Sequence, residues 1–269
     1  MPITDDQVRS VGFVVRRGEL TPVGTCFLVS VPSDVVDDFQ HGYVVTAEHN
    51  IISTDVDIWM TTRDGQLVKE LQPTHWATNT GFDVAAAQWT PFDDPGAWIE
   101  NSLERQTYEV ARIAPRYGGV VLYAGLLAPV ESMGSRGQPM VRTATVGFVG
   151  AEEVAYGDRV ARIAHIIDCR SWRGFSGSPC WLETTGPVAP REGDRLPPTL
   201  EALKEDHDWV GKEVSHTALW GMLVGYTLND HGVGVVTPIE AIKKLVNEDH
   251  DLRDAREVTD HLVLEARKR

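Results

Sequence analysis

Residues 173–181 read RGFSGSPCW, with Ser176 set between Gly174 and Gly177 and Pro179 three residues beyond it. Glycine tolerates backbone conformations closed to other residues, so this stretch can point two successive N–H groups into one concavity. Phe175 is the odd member, a bulky side chain directly before the serine in a run of otherwise small residues. Taken alone, Ser176 also fits an ordinary turn. The partners available to its hydroxyl elsewhere in the chain decide between the two.

A serine hydroxyl is a poor nucleophile unless a base lies within hydrogen-bond reach, and that base needs a buried carboxylate to fix its tautomer and stabilise its cation. Residues 43–50, YVVTAEHN, place His49 just after a strand of small and β-branched residues, where a turn can present its imidazole. Residues 81–87, GFDVAAA, open a strand candidate with Asp83. Each alone reads more simply, as a structural histidine and as a cap or turn aspartate. In the chain order His49, Asp83, Ser176 they are spaced to put the first two on one barrel and the serine on a second, with a cleft between.

The pattern around them is all-β. VGFVVRR, GTCFLVSV, GYVVTA, DVDIWM, VAAAQW, GGVVLYAG, VRTATVGFVG, RIAHIID, ALWGMLVGY and GVGVVTP each have the length and β-branched content of a strand. No repeat is visible, and the helical period appears late, in PIEAIKKLVNEDH, where Ile239, Ile242, Leu245 and Val246 share a face. Ten or more short strands closed by a helix at 239–247 suggest two packed barrels, at about 11–105 and 115–238. Residues 185–208, rich in proline and charge, read as a surface insertion. Residues 248–269 form a charged tail. The spacing of Val258, Leu262 and Ala266 there suits a weakly amphipathic helix, against the alternative of a frayed terminus.

Composition narrows the function. Asp and Glu number 39 against 25 Lys and Arg, a formal net charge of -14, which argues against a nucleic-acid partner. The N-terminus lacks the pattern of a secretory signal, and no apolar run approaches the roughly 18 residues of a membrane span. Three cysteines, Cys26, Cys169 and Cys180, suggest free thiols in a reducing compartment, so a cytoplasmic location is expected. The nine histidines show no metal-ligand spacing, so neither metal nor other cofactor is expected. Cys180 reads as a small core residue rather than a reactive thiol.

With these residues in view, the chain resembles the trypsin-like, chymotrypsin-fold serine proteases from about residue 11 to about residue 247. The resemblance rests on GTCFLVS, VVTAEHN, FDVAAA, RGFSGSP and LWGMLVGYTLNDHGVGVVTPI, five weak motifs in the family's order. DCRSWRGFSGSP is most similar to the disulfide-free bacterial branch that includes the high-temperature-requirement proteases. The resemblance implies two six-stranded antiparallel β-barrels. It implies a serine endopeptidase acting on proteins or peptides, with Ser176 as nucleophile, His49 as general acid/base, Asp83 as orienting carboxylate, and the N–H groups of Gly174 and Ser176 as oxyanion hole. It also implies a specificity pocket with Arg170 at its floor and Val224, Gly225 and Tyr226 on its walls. An inward Arg170 would favour acidic substrate side chains, and an outward one would leave a small apolar pocket.

Departures from the family matter as much. Asn50 stands where secreted trypsins carry a disulfide cysteine, Ser178 where the family has a second glycine, and Phe175 where secreted zymogens have an aspartate that pairs with a newly cut N-terminus. The last implies activation without such an ion pair, the Phe175 ring packing beneath the loop instead. A Gly-x-Ser-x-Gly hydrolase elbow is not met, because Ser178 is not glycine and strands do not alternate with helices. The competing reading is a catalytically silent protease-fold module for binding or regulation. No second globular domain is expected after residue 247, so control would fall to a partner protein touching the insertion or the tail.

Overall fold

The computed structural model describes residues 3–52, 55–61, 67–71, 73, 75–89, 102–104, 106–107, 110, 115–125, 139–169, 174–186, 214–227 and 232–268. Seven strands, β1 (Val11–Arg16), β2 (Pro22–Pro32), β3 (Gln40–Ala47), β4 (Val56–Thr61), β5 (Leu67–Leu71), β6 (Ala77–Asn79) and β7 (Val84–Gln88), form the first sheet in the order β5-β4-β1-β2-β3-β7-β6. Six more, β8 (Val120–Gly125), β9 (Met140–Tyr156), β10 (Arg159–Asp168), β11 (Ser178–Gly186), β12 (Val214–Tyr226) and β13 (Val233–Pro238), close into a barrel in the order β10-β13-β12-β11-β8-β9. Every pairing between these strands is antiparallel. The all-β, two-part architecture is the expected one. The first half differs in detail: it carries a seventh strand, the three-residue β6, added along β7.

Two-residue alternation explains how one strand serves two cores. Along β2, Cys26 and Leu28 face a small cluster with Val14, Val44 and Ile58, inside the first sheet. Phe27, Val29 and Val31 face the large cluster, which also contains Tyr123, Trp181, Leu219 and Val236 of the barrel. One continuous core therefore runs between the halves. Burial of each large aliphatic or aromatic side chain in it contributes about 1.5–3 kcal/mol.

A short helix, α1 (Asp5–Arg9), precedes β1 and was not anticipated, although its signal is present: Thr4 and Gln7 form a reciprocal capping box. Helix α2 (Ile239–Glu248) buries Ile239, Ile242, Leu245 and Val246, the face expected from its period. The tail is helical as α3 (His250–Arg267), with Asp249 capping Leu252 N–H at 3.1 Å. Its packing face is not the expected one. Val258 and Leu262 are exposed, whereas Leu252 and Asp260 are buried. Asp260 accepts from Ser33 Oγ at 2.8 Å and lies 3.0 Å from Nε2 of buried His41, and Thr259 Oγ1 accepts from Gln88 at 3.2 Å. Polar pairing chose the rotation of this helix, and hydrophobic spacing is blind to that. Among the described residues no helix is long and apolar enough to cross a membrane. Arg170 and most of the 185–208 insertion lie outside the described residues, the flanking strands β11 and β12 ending and starting at Gly186 and Val214.

Candidate active site

The site begins with strand pairing. β3 and β7 run side by side with Ala47 opposite Val84, so the residues just past one strand meet those just before the other. A single 3-10 turn, Glu48–Asn50, lifts His49 off the end of β3. A turn closed by Phe82 N–H to Asn79 O at 3.1 Å and Asp83 N–H to Thr80 O at 3.3 Å sets Asp83 at the start of β7. Asp83 adopts φ +49°, a left-handed conformation unusual for a residue with a side chain. It is stabilised on the His49 side: Glu48 N–H donates to Asp83 O at 3.2 Å, and His49 N–H to Asp83 Oδ1 at 3.0 Å.

Ser176 arrives from the other half, in a turn closed by Ser178 N–H to Phe175 O at 2.9 Å immediately before β11. Its Oγ lies 2.6 Å from His49 Nε2, and His49 Nδ1 lies 2.6 Å from Asp83 Oδ2. The Asp83 side chain is 1% exposed and the His49 imidazole 28%, so the line runs from a buried carboxylate toward a more open ring. The hydroxyl has a second acceptor, Val224 O at 2.7 Å.

The loop carrying Ser176 is tied down on both sides. Thr25 N–H donates to Ser176 O at 2.8 Å, Thr25 Oγ1 to Gly174 O at 2.7 Å, and Gly177 N–H to Leu223 O at 2.7 Å. Gly177, at φ +90°, lies so close to the Thr25 carbonyl that a Cβ would overlap it. Asn50 closes the frame, its Nδ2 donating to Ser176 O and to Thr46 Oγ1, both at 3.0 Å. With Gly174 O held by Thr25, no backbone acceptor among the described residues takes the Ser176 N–H.

Phe175 is fully buried, its ring edge-on to Tyr123 at 5.4 Å between centroids. The Arg142 guanidinium lies 6.0 Å from the same ring and also lines a cavity of about 520 Å³ with Thr143, Thr145, Asp168 and Cys169. Of the residues expected on a specificity pocket, Val224, Gly225 and Tyr226 end β12, Tyr226 opposite Gly234 of β13. Arg170 follows Cys169 and is not among the described residues.

Two contacts to the aspartate had no sequence signal. Tyr156 OH donates to Asp83 Oδ2 at 2.9 Å and Arg159 Nη1 to Asp83 Oδ1 at 3.2 Å, both from the β9–β10 hairpin. The YGDR turn at 156–159 is legible as a tight hairpin, but nothing local says what its tip touches. Glu48 lies beside them, 3.9 Å from Arg159. Burial first, and the Asp83 charge second, raise its pKa, while Arg159 and His49 oppose the rise.

The three cysteines are free and buried. Burial raises all three thiols, Cys169 to about 11, so none is poised as a thiolate. Among the described residues one group, His75, Asp249 and Asp251, has ligand atoms within 4.8 Å of one another and could hold a cation. Asp249 there is already the cap of α3.

No family model and no curated protein matches the sequence. Solved structures do match. The MamO protease domain from Magnetospirillum magneticum, in its apo form, is 16% identical over 90% of this chain and 98% of that one, with a TM-score of 0.55. The active form of the Rv3671c protease from M. tuberculosis is 15% identical over 91% and 82%, with a TM-score of 0.52. The chain has the trypsin-like serine-protease fold. That fold is also the fold of human heparin binding protein, 10% identical over 92% of this chain and 95% of that one, with a TM-score of 0.50. A trypsin-like fold thus sets where a site can form, and the side chains in it must carry the chemistry.

Proposed function

We propose that the chain is a serine endopeptidase that hydrolyses peptide bonds of a protein or peptide substrate through an acyl-enzyme. The observation that carries this reading is the continuous line from Ser176 Oγ to His49 to Asp83, with both links at 2.6 Å. Ser176 Oγ attacks the scissile carbonyl while His49 Nε2 takes its proton. Asp83 holds His49 Nδ1–H and offsets the imidazolium charge. The N–H groups of Gly174 and Ser176 receive the oxyanion, and loss of one such donor costs about 3–4 kcal/mol of transition-state stabilisation. His49 then returns the proton to the leaving amine, and water, activated the same way, releases the acyl group from Ser176. No cofactor enters these steps.

One observation favours a second reading, a silent binding or regulatory module. The Ser176 hydroxyl has a single proton and two acceptors, His49 Nε2 and the Val224 carbonyl. A proton given to Val224 O leaves the histidine without the one it must take. A fluorophosphonate probe separates the two. Labelling that disappears in Ser176→Ala supports the enzyme, and a wild-type chain that stays unlabelled with or without added substrate supports the module.

A further inference from the structure

We propose that Tyr156 and Arg159, at the tip of the β9–β10 hairpin, are positioning residues for the Asp83 carboxylate and set the pH range over which His49 acts as a base. The proposal rests on the reading of His49, Asp83 and Ser176 as the catalytic line. Each oxygen of Asp83 takes two donors: Oδ1 from His49 N–H at 3.0 Å and Arg159 at 3.2 Å, Oδ2 from His49 Nδ1 at 2.6 Å and Tyr156 at 2.9 Å. That fills the roughly four lone-pair sites of a carboxylate, so its rotation about the side-chain axis is fixed from both halves of the molecule.

The barrel grips the backbone of the same turn. Arg162 N–H of β10 donates to Gly81 O at 3.0 Å, and Thr237 Oγ1 of β13 to Phe82 O at 2.5 Å. A left-handed Asp83 held by its neighbours on four sides has the signature of strain retained by its surroundings. Tyr156 is 4% exposed, and its ring occupies the space above Gly225, where a Cβ would overlap it. Burial and the Asp83 charge hold its hydroxyl protonated well above the ordinary tyrosine range, so it donates at any working pH.

Charge gives Arg159 a role distinct from packing. Among the described residues, the charged or titratable groups around His49 and Asp83 are Glu48 from the 3-10 turn and Tyr156 and Arg159 from the hairpin, with Arg162 lying against nearby Gly81. Among the described residues Arg159 is the cation in contact with Asp83, and it lies 3.9 Å from Glu48. With it removed, two buried carboxylates face the imidazole with less compensation. The imidazolium is then favoured to higher pH, and the base form is lost sooner as pH falls.

The test is the pH dependence of the fluorophosphonate reaction and of peptide hydrolysis, together with an NMR titration of the His49 ring. In Arg159→Gln the acid limb of the rate profile and the His49 midpoint should both move up, by roughly half a pH unit or more. Arg159→Lys, which keeps a cation, should recover most of that shift. Tyr156→Phe removes one hydroxyl and little volume, which keeps the test available if Arg159→Gln does not fold; kcat should fall about tenfold with KM unchanged. A His49 midpoint identical in wild type and Arg159→Gln, or a Tyr156→Phe enzyme with wild-type kcat, overturns the proposal, even if thermal stability drops. A wild-type chain that takes no probe defeats the catalytic reading instead, and the NMR midpoint still decides what Arg159 does.

Discussion

Phe175 sits where an ion pair would order the nucleophile loop in secreted relatives of the fold. Here the ring is fully buried edge-on to Tyr123, and the loop is fixed by apolar contact and by hydrogen bonds to Thr25. Phe175→Asp would bury a carboxylate against Tyr123, with the Arg142 guanidinium 6.0 Å from the present ring centroid, at a cost of several kcal/mol. The expected result is loss of folded protein or of probe labelling, and Phe175→Leu should retain both; a fully active Phe175→Asp enzyme would contradict the packing role. Asn50 is the complementary case. Its side-chain amide joins the histidine turn to the Ser176 carbonyl, in the position where secreted trypsins have a disulfide cysteine. Asn50→Ala leaves these partly buried acceptors short of a donor, so unfolding in urea should show a loss of about 1–3 kcal/mol. Probe labelling should slow in the same variant, because the serine loop loses its tether to the turn that carries His49. Asn50 was noticed in the sequence only as the absence of cysteine, since what an amide donates to is decided by a residue 126 positions away.

Among the elements, β10 carries a pH liability. His165 is buried, stacks on Trp220 at 4.2 Å with its ring parallel, and its Nδ1 accepts from Gly150 N–H at 3.1 Å. Burial lowers its pKa to about 4. The unfolded chain therefore binds a proton near pH 6.5 that the native state refuses, so the contribution is present above that pH and lost as pH falls toward 4. At its limit the loss is about 3 kcal/mol, and His41, lowered by burial as well, adds in the same direction. Urea midpoints should fall steeply between neutral and mildly acidic pH, and His165→Gln should flatten the curve; a curve of unchanged slope would remove His165 as the cause. Helix α3 teaches a related lesson about reading elements. Its existence was legible in the spacing of Val258, Leu262 and Ala266, but its buried face was not. Asp260 reaches buried His41 and Ser33, partners set far apart in the sequence, and a charged residue at a buried position runs against every hydrophobicity pattern. Asp260→Ala should loosen α3, read as faster amide exchange along 250–267, and unchanged exchange would show that Leu252 and the cap suffice.

At the scale of the molecule, His49, Asp83 and Ser176 were legible because each sits at a strand end in a motif with its own local signature; the β3–β7 pairing brings the first two together, and the hydrogen bonds of Thr25 and Asn50 to Ser176 O bring the third. The two-part β architecture was legible for the same reason, strand by strand. Strands β5, β6 and β11 were not among the ten read from the sequence, and the three residues of β6 carry too little pattern to register. Tyr156 and Arg159 were invisible for a different reason: they act across the junction between the halves, and the large core that spans that junction is itself a long-range object. This division of labour also has a consequence in time. Synthesis delivers His49 and Asp83 first, within the sheet of β1–β7, while the hairpin that contacts the aspartate and the loop that bears Ser176 emerge later. Non-local pairing is the slow part of folding in β proteins, and N-terminal segments begin to fold before the rest exists. A nascent chain that stops short of β9 thus holds His49 and Asp83 without Tyr156, Arg159 or Ser176, and on the proposed reading reactivity arrives only when the barrel closes.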